Sequence, residues 1–301
     1  MGDKHVEFAS MQGTLESSVR QARLHCGDYL LALDRPLIMG VINVTPDSFS
    51  DGGETYSAER AIAHGRRLAA EGANLLDIGG ESTRPGSAPL SLQEELDRVL
   101  PVMQGLQDLQ IPLSIDTYKP QTMRAVLAAG AAMINDINAL QSDGAMDVIR
   151  ASNCGVCLMH KKGDPQTMQD MPYYDDVVRE VGEFLQARLA ACEAAGIAHE
   201  RIVLDPGFGF GKTAAHNLTL LSRLDTLCKL GAPLLVGLSR KATLGMITGK
   251  PVTDRVSAST AAALLAVQRG ATIVRVHDVA ATRDALLVLR AVEDAASVAG
   301  N

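Results

Sequence analysis

The sequence contains no tryptophan and has few aromatic residues, which limits how its core can be built. Aromatic residues make up 3% of the 301 positions, whereas hydrophobic residues make up 47%. Aliphatic side chains, mainly those of Ala, Leu and Val, therefore have to fill the interior. Small side chains of this kind are typical of helices packed closely on a central sheet. The length allows one large domain or two ordinary ones.

The chain also lacks the marks of several classes of protein. Its formal net charge of −7 and its pI near 5.5 leave no basic excess to neutralise a nucleic acid or an anionic membrane surface. It has no uninterrupted apolar stretch of about 18 residues. The first residues, MGDKHVEFASMQG, lack the apolar core of a secretory signal. We therefore expect a cytoplasmic protein whose anionic ligands are small.

The five cysteines are an odd number without regular spacing. This count argues against a disulfide framework and favours a reducing compartment. Cys154 and Cys157 have the C-x-x-C spacing of a redox motif, but they lie in an apolar run typical of a buried strand. We interpret both as inert core thiols, because free cysteine behaves as a small buried hydrophobe.

No Pro-rich linker or low-complexity tract divides the chain, so the sequence predicts no second domain. Residues 1–36 predict a loose tail followed by a short hairpin. From residue 37 to residue 301, short apolar runs alternate with helical segments about eight times, as expected for a parallel sheet buried on both faces. At this length the repetition favours a single α/β domain, a (βα)8 TIM barrel, over an open doubly wound sheet.

Polar residues stand where the apolar runs end. The active site of such a barrel forms at the carboxyl ends of its strands. Helix or loop capping explains any one of these residues, but stability alone does not require carboxylates, carboxamides and cations at one end. His160 could face the mouth of the barrel or hold a loop. The residues are Asn43, Asp77, Asp116, Asn135, His160, Asp205, Ser239, Arg240, Lys241, Arg275 and His277.

The segment PGFGFGKT, residues 206–213, nearly spells a phosphate-binding P-loop. The first glycine of that motif is replaced by Pro206, and the preceding Asp205 would repel phosphate. We therefore expect these glycines to let the backbone approach a flat substrate.

Two further polar features are interpreted as structural. Asp175 and Asp176 in the segment DDVVRE predict the start of a helix, where acidic side chains are favoured. The remaining histidines have no metal-ligand spacing; they are His5, His25, His64, His199 and His216.

Seven segments taken together resemble dihydropteroate synthases. They are NVTPDSFSDGG from Asn43, ESTRPGS from Glu81, SRK from Ser239, and the shorter SIDT, IND, LDPGFGFGK and RVHD. The match runs in order over about residues 37 to 290. The resemblance implies a pterin-binding (βα)8 transferase of folate biosynthesis, in a family that sulfonamides target. It would join 7,8-dihydropterin-6-ylmethyl diphosphate to 4-aminobenzoate, with Mg²⁺, to give 7,8-dihydropteroate and diphosphate. It would also form a homodimer.

The resemblance assigns the pterin to Asp116, Asn135, Asp205 and Lys241. Carboxylates and a carboxamide suit the N–H donors on the edge of a pterin, and a lysine suits an acceptor on its ring.

For the diphosphate, the resemblance implies Thr83, Arg84, Arg275 and His277. A leaving diphosphate needs cations and hydrogen-bond donors around it. The metal ligand implied in the same way is Asn43, which is reasonable because Mg²⁺ keeps several waters and takes few protein oxygens. The implied mechanism is dissociative: diphosphate departs first and the amine then attacks.

The pocket for 4-aminobenzoate is likewise assigned by the resemblance. Many relatives carry a serine after the lysine of SRK, whereas this chain has Ala242 followed by Thr243, so one hydroxyl contact to the benzoate carboxylate is in question. A backbone N–H at the start of the next helix could serve instead. The implied pocket residues are Phe49, Pro85, Phe210, Ser239 and Ala242, with Lys241 shared between the two substrates.

Two other functions stay open. A methyltetrahydrofolate-to-corrinoid methyltransferase resembles this fold and its pterin-binding Asn and Asp residues, but it handles no diphosphate, so the segments NVTPDSFSDGG, ESTRPG, SRK and RVHD favour the synthase. A silent paralogue would bind pterin without turnover. Diphosphate release on mixing both substrates separates the two enzymes, and calorimetric binding of pterin without product would support the silent paralogue.

Overall fold

A computed structural model describes residues 23–44, 54–81, 90–163 and 172–299. An antiparallel hairpin, β1 and β2, precedes eight parallel strands, β3 to β10. The hairpin strands are Arg23–Cys26 and Tyr29–Ala32; the parallel strands are Leu37–Asn43, Leu75–Gly79, Leu113–Asp116, Met133–Asp136, Gly155–Met159, Ile202–Asp205, Leu235–Val236 and Ile273–Val276.

The parallel strands form one closed cylinder. Their order is β8, β7, β6, β5, β4, β3, β10, β9. A further parallel bridge pairs Leu204 of β8 with Leu234, the residue just before β9. The bridge joins the two ends of the sheet, and the predicted (βα)8 barrel with an N-terminal hairpin is confirmed.

Helices follow the strands on the outside of the barrel. Asp176 begins α5 as the sequence predicts, because its carboxylate accepts the N–H groups of Val178 and Arg179. The helices α1 to α10 are Glu54–Glu71, Leu92–Leu106, Pro120–Ala128, Ala145–Arg150, Val177–Ala194, Ala214–Ser222, Leu224–Cys228, Ala242–Thr248, Val256–Val267 and Val279–Ala299.

The core has two layers, because alternate side chains of a strand point to opposite faces of the sheet. In β3, Ile38 and Ile42 pack outward against the helices, whereas Leu37 and Met39 pack inside the barrel. The first residues of several strands share this inner layer with Leu24 and Cys26 of the hairpin. The hairpin therefore fills the end of the barrel where the strands begin, and the opposite end carries the polar strand termini.

Cys154 and Cys157 lie in different layers of this core. Cys157 belongs to the inner cluster and Cys154 to the outer one, and both are buried free thiols. Burial raises the pKa of the Cys157 thiol well above its ordinary value. The interpretation of the pair as core thiols is confirmed.

Within the described ranges, no helix combines the length and apolar character needed to cross a membrane. The boundary at residue 36 between tail and barrel stays a prediction, since residues 1–22 lie outside the described part of the chain.

Candidate functional site

Side chains from four strands join in one hydrogen-bond network inside the barrel. Arg275 of β10 donates through Nε to Asp77 Oδ2 at 2.6 Å and through Nη2 to Asp116 Oδ2 at 3.1 Å. Asn135 of β6 donates through Nδ2 to Asp77 Oδ2 at 3.0 Å. Three of the residues that the resemblance assigned to substrates therefore lie together, and Asp77 connects them.

Asp77 is the site residue to which the sequence assigned no role. It is fully buried in β4 and also accepts the hydroxyl of Ser114 at 2.6 Å. Its carboxylate thus meets three donors. The signal was present in the run LLDIG, since a charge within an apolar strand has to be paired in the folded protein. Asp77 fixes the directions of Arg275 and Asn135.

Asn135 presents a buried acceptor that the protein leaves unsatisfied. A carboxylate accepts hydrogen bonds and does not donate them, so the Nδ2 group has to face Asp77 and the amide oxygen has to point away. That Oδ1 atom has no hydrogen-bond partner among the described residues, although Asn135 is only 4% exposed. Buried polar atoms are nearly always paired. The arrangement suits an N–H donor on a ligand.

Asp205 and Lys241 lie at the ends of β8 and β9 on the same side of the barrel. Asp205 Oδ1 accepts the N–H of Gly207 at 2.7 Å. A Cβ built on Gly237 would lie 3.9 Å from Lys241 Nζ and 3.8 Å from Arg275 Cβ. The lysine amine is therefore close to the network around Arg275.

Lys241 also contacts the loop that follows β8. Its Nζ donates to the carbonyl oxygen of Phe208 and lies 4.9 Å from the centre of the half-buried Phe210 ring. This distance allows a cation–π contact. Lys241 thus lies between the carboxylates predicted to bind pterin and the aromatic ring predicted to contact the amine.

Burial governs the protonation of these groups. It raises the pKa of Asp116 to about 7, against the attraction of Arg275, and it raises the pKa of Asp205, against the attraction of Lys241. It lowers the pKa of Lys241 itself to about 8. The charges of the site are therefore easily changed by a ligand near neutral pH.

His277 and Ser239 are in direct contact. The Ser239 hydroxyl oxygen accepts the backbone N–H of His277 at 3.2 Å and lies 3.0 Å from its Nδ1 atom. Burial and the nearby Arg275 lower the pKa of His277 to about 3, so the imidazole is neutral. In the tautomer in which the Ser239 hydroxyl donates to Nδ1, the ring proton is on Nε2 and can be donated to an anion.

Asn43 ends β3 beside the same network. A Cβ built on Gly79 would lie 3.9 Å from Asn43 Oδ1 and 3.8 Å from Asp116 Oδ2, so the Asn43 amide lies close to the Asp116 carboxylate. The described part of the chain contains no group of three His, Cys, Asp or Glu side chains that could hold a metal. A single amide oxygen fits Mg²⁺ only as one ligand among waters and phosphate oxygens.

The remaining predicted residues divide into two groups. Ala242 is exposed as the first residue of α8, and the neighbouring Thr243 is buried, where its Oγ1 accepts from Asn217 at 3.1 Å. The other group lies outside the described residues: Phe49, Thr83, Arg84 and Pro85.

Two glycines of the near P-loop pack closely on neighbouring backbone. A Cβ on Gly207 would lie 1.8 Å from the carbonyl oxygen of His160, and one on Gly211 would lie 2.1 Å from that of Lys162. Both glycines have positive φ, 66° and 63°. The space beside both glycines is filled by backbone just after β7, and the expectation that this segment approaches a flat substrate stays a prediction. His160 is buried there and holds this loop.

Arg240 and Asp278 connect the last two strand ends. The Arg240 guanidinium donates to Asp278 through Nε at 3.1 Å and through Nη2 at 2.6 Å. Arg240 has a φ of 59°, a left-handed conformation that costs a non-glycine residue about 1 kcal/mol or more. The sequence placed Arg240 at a strand end but did not identify its partner.

Comparison with known proteins agrees with this geometry. The sequence profile of the family described as "Pterin binding enzyme" matches residues 39–277. A dihydropteroate synthase of Escherichia coli strain K12 is 47% identical over 262 residues, which are 87% of this chain and 93% of that protein. The structure of Xanthomonas albilineans dihydropteroate synthase with 4-aminobenzoic acid matches with a TM-score of 0.86 and 55% identity, covering 91% of this chain and 98% of that one. That of Burkholderia cenocepacia dihydropteroate synthase complexed with 7,8-dihydropteroate matches with a TM-score of 0.84 and 51% identity, covering 92% and 98%.

Proposed function

Since the chain belongs to the family of pterin-binding enzymes, we propose that it catalyses the dihydropteroate synthase reaction. It condenses 7,8-dihydropterin-6-ylmethyl diphosphate with 4-aminobenzoate and releases 7,8-dihydropteroate and diphosphate. The match over 93% of the length of the Escherichia coli synthase supports this assignment. So do the solved relatives that carry 4-aminobenzoic acid and 7,8-dihydropteroate.

The observation that carries the proposal is the fixed acceptor at Asn135. Its unpartnered Oδ1 lies in a network with Asp116 and suits an N–H group on the edge of a pterin. Asp205 adds a second acceptor, and Lys241 supplies a donor on the same side of the barrel. A flat heterocycle with donors along one edge and acceptors on the ring satisfies this set.

The reaction breaks the C–O bond to diphosphate and forms a C–N bond to the amine, which then loses one proton. An aromatic amine is neutral and nucleophilic at pH 7, so it needs orientation and exclusion of water more than a strong base. Phe210 and the stem of Lys241 orient its ring. The Nε2 proton of His277 hydrogen-bonds to the departing diphosphate, and the cationic Arg275 stabilises its charge.

Magnesium belongs to this proposal through Asn43. The amide oxygen would be one ligand, and the diphosphate oxygens and water would complete the shell. When bound, the ion neutralises charge on the leaving diphosphate. Omission of Mg²⁺ is expected to raise the KM for the pterin diphosphate, and Asn43→Ala is expected to weaken the dependence of that KM on Mg²⁺ concentration.

A homodimer is also part of the proposal. The helices α9 and α10 pack against each other, and both carry exposed large apolar side chains: Leu265, Leu287, Val288 and Val292. An exposed apolar patch of this kind is typical of a protein interface. Val288→Asp is expected to halve the molecular mass measured by sedimentation. A wild-type chain that already sediments as a monomer would contradict the dimer. The cytoplasmic location stays a prediction from composition.

A turnover assay tests the function. The purified chain is mixed with both substrates and Mg²⁺, and diphosphate and 7,8-dihydropteroate are measured. Formation of both products in equal amounts is expected. Calorimetric binding of the pterin without product would support a silent paralogue, and methyl transfer from methyltetrahydrofolate to a corrinoid would support the rival enzyme.

A further inference from the structure

A buried lysine fastens the loop between β8 and α6, residues 206–213, to the end of β7. Lys212 is only 2% exposed, and its Nζ donates to the carbonyl oxygens of Gly207 at 2.9 Å and Phe210 at 3.1 Å. The same Nζ lies 2.8 Å from His160 Nδ1. The Nζ also lies 3.5 Å from the His160 carbonyl oxygen, so four acceptors surround this amine. None of them belongs to the proposed reaction chemistry.

Aromatic rings hold His160 in position to accept a hydrogen bond from Lys212. Its ring contacts the edge of Phe184 with centroids 4.9 Å apart, and the ring of Tyr174 lies 6.2 Å away. Burial and the adjacent Lys212 lower the pKa of His160 to about 2. A neutral imidazole can accept a hydrogen bond at Nδ1, whereas a charged one cannot.

The loop packs on the β7 end through its backbone. Gly207 and Gly211 leave no room for a Cβ beside the carbonyls of His160 and Lys162. The hydroxyl of Tyr174 donates to the Gly211 carbonyl at 2.9 Å. The rear of the loop is therefore in contact with protein along its length, and Lys212 is the side chain that ties its two turns together.

The front of the same loop carries groups of the proposed site. The Phe208 carbonyl accepts from Lys241 Nζ, and the Phe210 ring lies against that amine. Lys212 binds the carbonyls on either side of Phe208, at Gly207 and Phe210. A change at Lys212 is therefore transmitted to the position of Phe210 and to the hydrogen bond of Lys241.

We propose that Lys212 is a positioning residue for the amine half of the site, where it holds Phe210 and the Phe208 carbonyl against Lys241. The inference rests on the proposed synthase function. Asp116 and Asn135, which would bind the pterin, belong to other strands and have no bond to the loop described above. Asp205 contacts the loop only through the N–H of Gly207, and Lys241 serves both substrates, so the pterin half is coupled to the loop less directly than Phe210 is. Lys212 therefore acts on 4-aminobenzoate more than on the pterin diphosphate.

Steady-state kinetics of Lys212→Met tests this. The variant keeps an unbranched side chain of nearly the same length and removes every hydrogen bond of the amine. We expect the KM for 4-aminobenzoate to rise about tenfold, whereas the KM for the pterin diphosphate changes less than about twofold. A loss of folded enzyme alone would lower kcat and leave both KM values unchanged. Lys229→Met, at an exposed lysine just after α7, is the matched control and should match the wild type.

A second variant tests the same inference if Lys212→Met does not fold. His160→Phe keeps a ring against Phe184 but removes one acceptor, and a smaller rise confined to the KM for 4-aminobenzoate is expected. Equal changes in both KM values, or no change in either for a soluble variant, would overturn the inference while the synthase function stands. Absence of turnover by the wild type would instead refute the function.

Discussion

Replacement of Asp77 by asparagine or alanine should separate the charge of this residue from its hydrogen bonds. In asparagine, the amide oxygen can keep the bonds from Asn135 and Arg275 that now reach Oδ2. The amide NH2 can face Ser114, whose hydroxyl can turn to accept it. Asp77→Asn therefore keeps three hydrogen bonds and removes a buried charge, whereas Asp77→Ala leaves three donors without a partner.

The expected magnitudes follow from these partners. Removing one member of a buried ion pair costs about 3–5 kcal/mol, but Asp116 stays as a second partner of Arg275, so Asp77→Asn should cost about 2 kcal/mol of unfolding free energy. Each buried donor without a partner costs about 1–3 kcal/mol, so Asp77→Ala should cost about 4 kcal/mol or more. Alanine also frees the Asn135 amide to turn, which lowers pterin affinity beyond the loss in the asparagine variant.

Urea unfolding followed by circular dichroism measures both variants. Asp108→Asn is the control, because Asp108 forms a similarly close pair with Arg66 at the surface, 2.8 Å long, and exposed pairs contribute little. We expect no measurable change for that control. Equal stability of the asparagine and alanine variants, or an asparagine variant as stable as the wild type, would refute the account of Asp77.

Three further results are expected. Gly249→Ala, at φ 69° with nothing within 4 Å of the added Cβ, should lower the free energy of unfolding in urea by about 1 kcal/mol. Gly207→Ala, at φ 66° and against the carbonyl oxygen of His160, should lower it by about 2 kcal/mol more. Similar losses for the two variants would contradict the close packing at Gly207. Burial raises the pKa of Asp116 from 3.8 to about 7, so the folded state binds the proton more tightly and stability falls as pH rises between these values. Asp116→Asn should show less of this fall, and an identical pH profile of unfolding would refute it. Ellman's reagent should label Cys228 before unfolding and the four buried thiols only afterwards; early labelling of a second thiol would contradict their burial.

Periodicity along the chain was sufficient to predict the barrel. Each strand is a short apolar run and each helix a longer amphipathic one, and these patterns depend on neighbours a few residues apart. The same reasoning predicted that the polar residues from Asn43 to His277 gather at one end. It predicted the start of α5 at Asp176 as well, because capping is also a local interaction.

Local sequence patterns do not predict how side chains pair across the barrel. Asp77 and Arg275 are 198 residues apart, yet their 2.6 Å contact orients the site. The segment from Gly207 to Lys212 resembles a phosphate-binding motif along the chain, and only the folded protein shows that Gly207 and Gly211 pack on the backbone after β7. This segment follows β8, and it lies beside the end of β7 because those two strands are neighbours in the sheet.

The sequence alone therefore determined which elements form, the closed barrel they build and the end at which the polar groups meet. Three contacts depend on how the chain folds: Asp77 orients Asn135 and Arg275, Ser239 meets His277, and Lys212 packs on the β7 side of its loop. Backbone periodicity and helix capping depend on residues only a few positions apart in the sequence. The partner of a buried polar group, by contrast, comes from whichever strand the closed sheet places beside it.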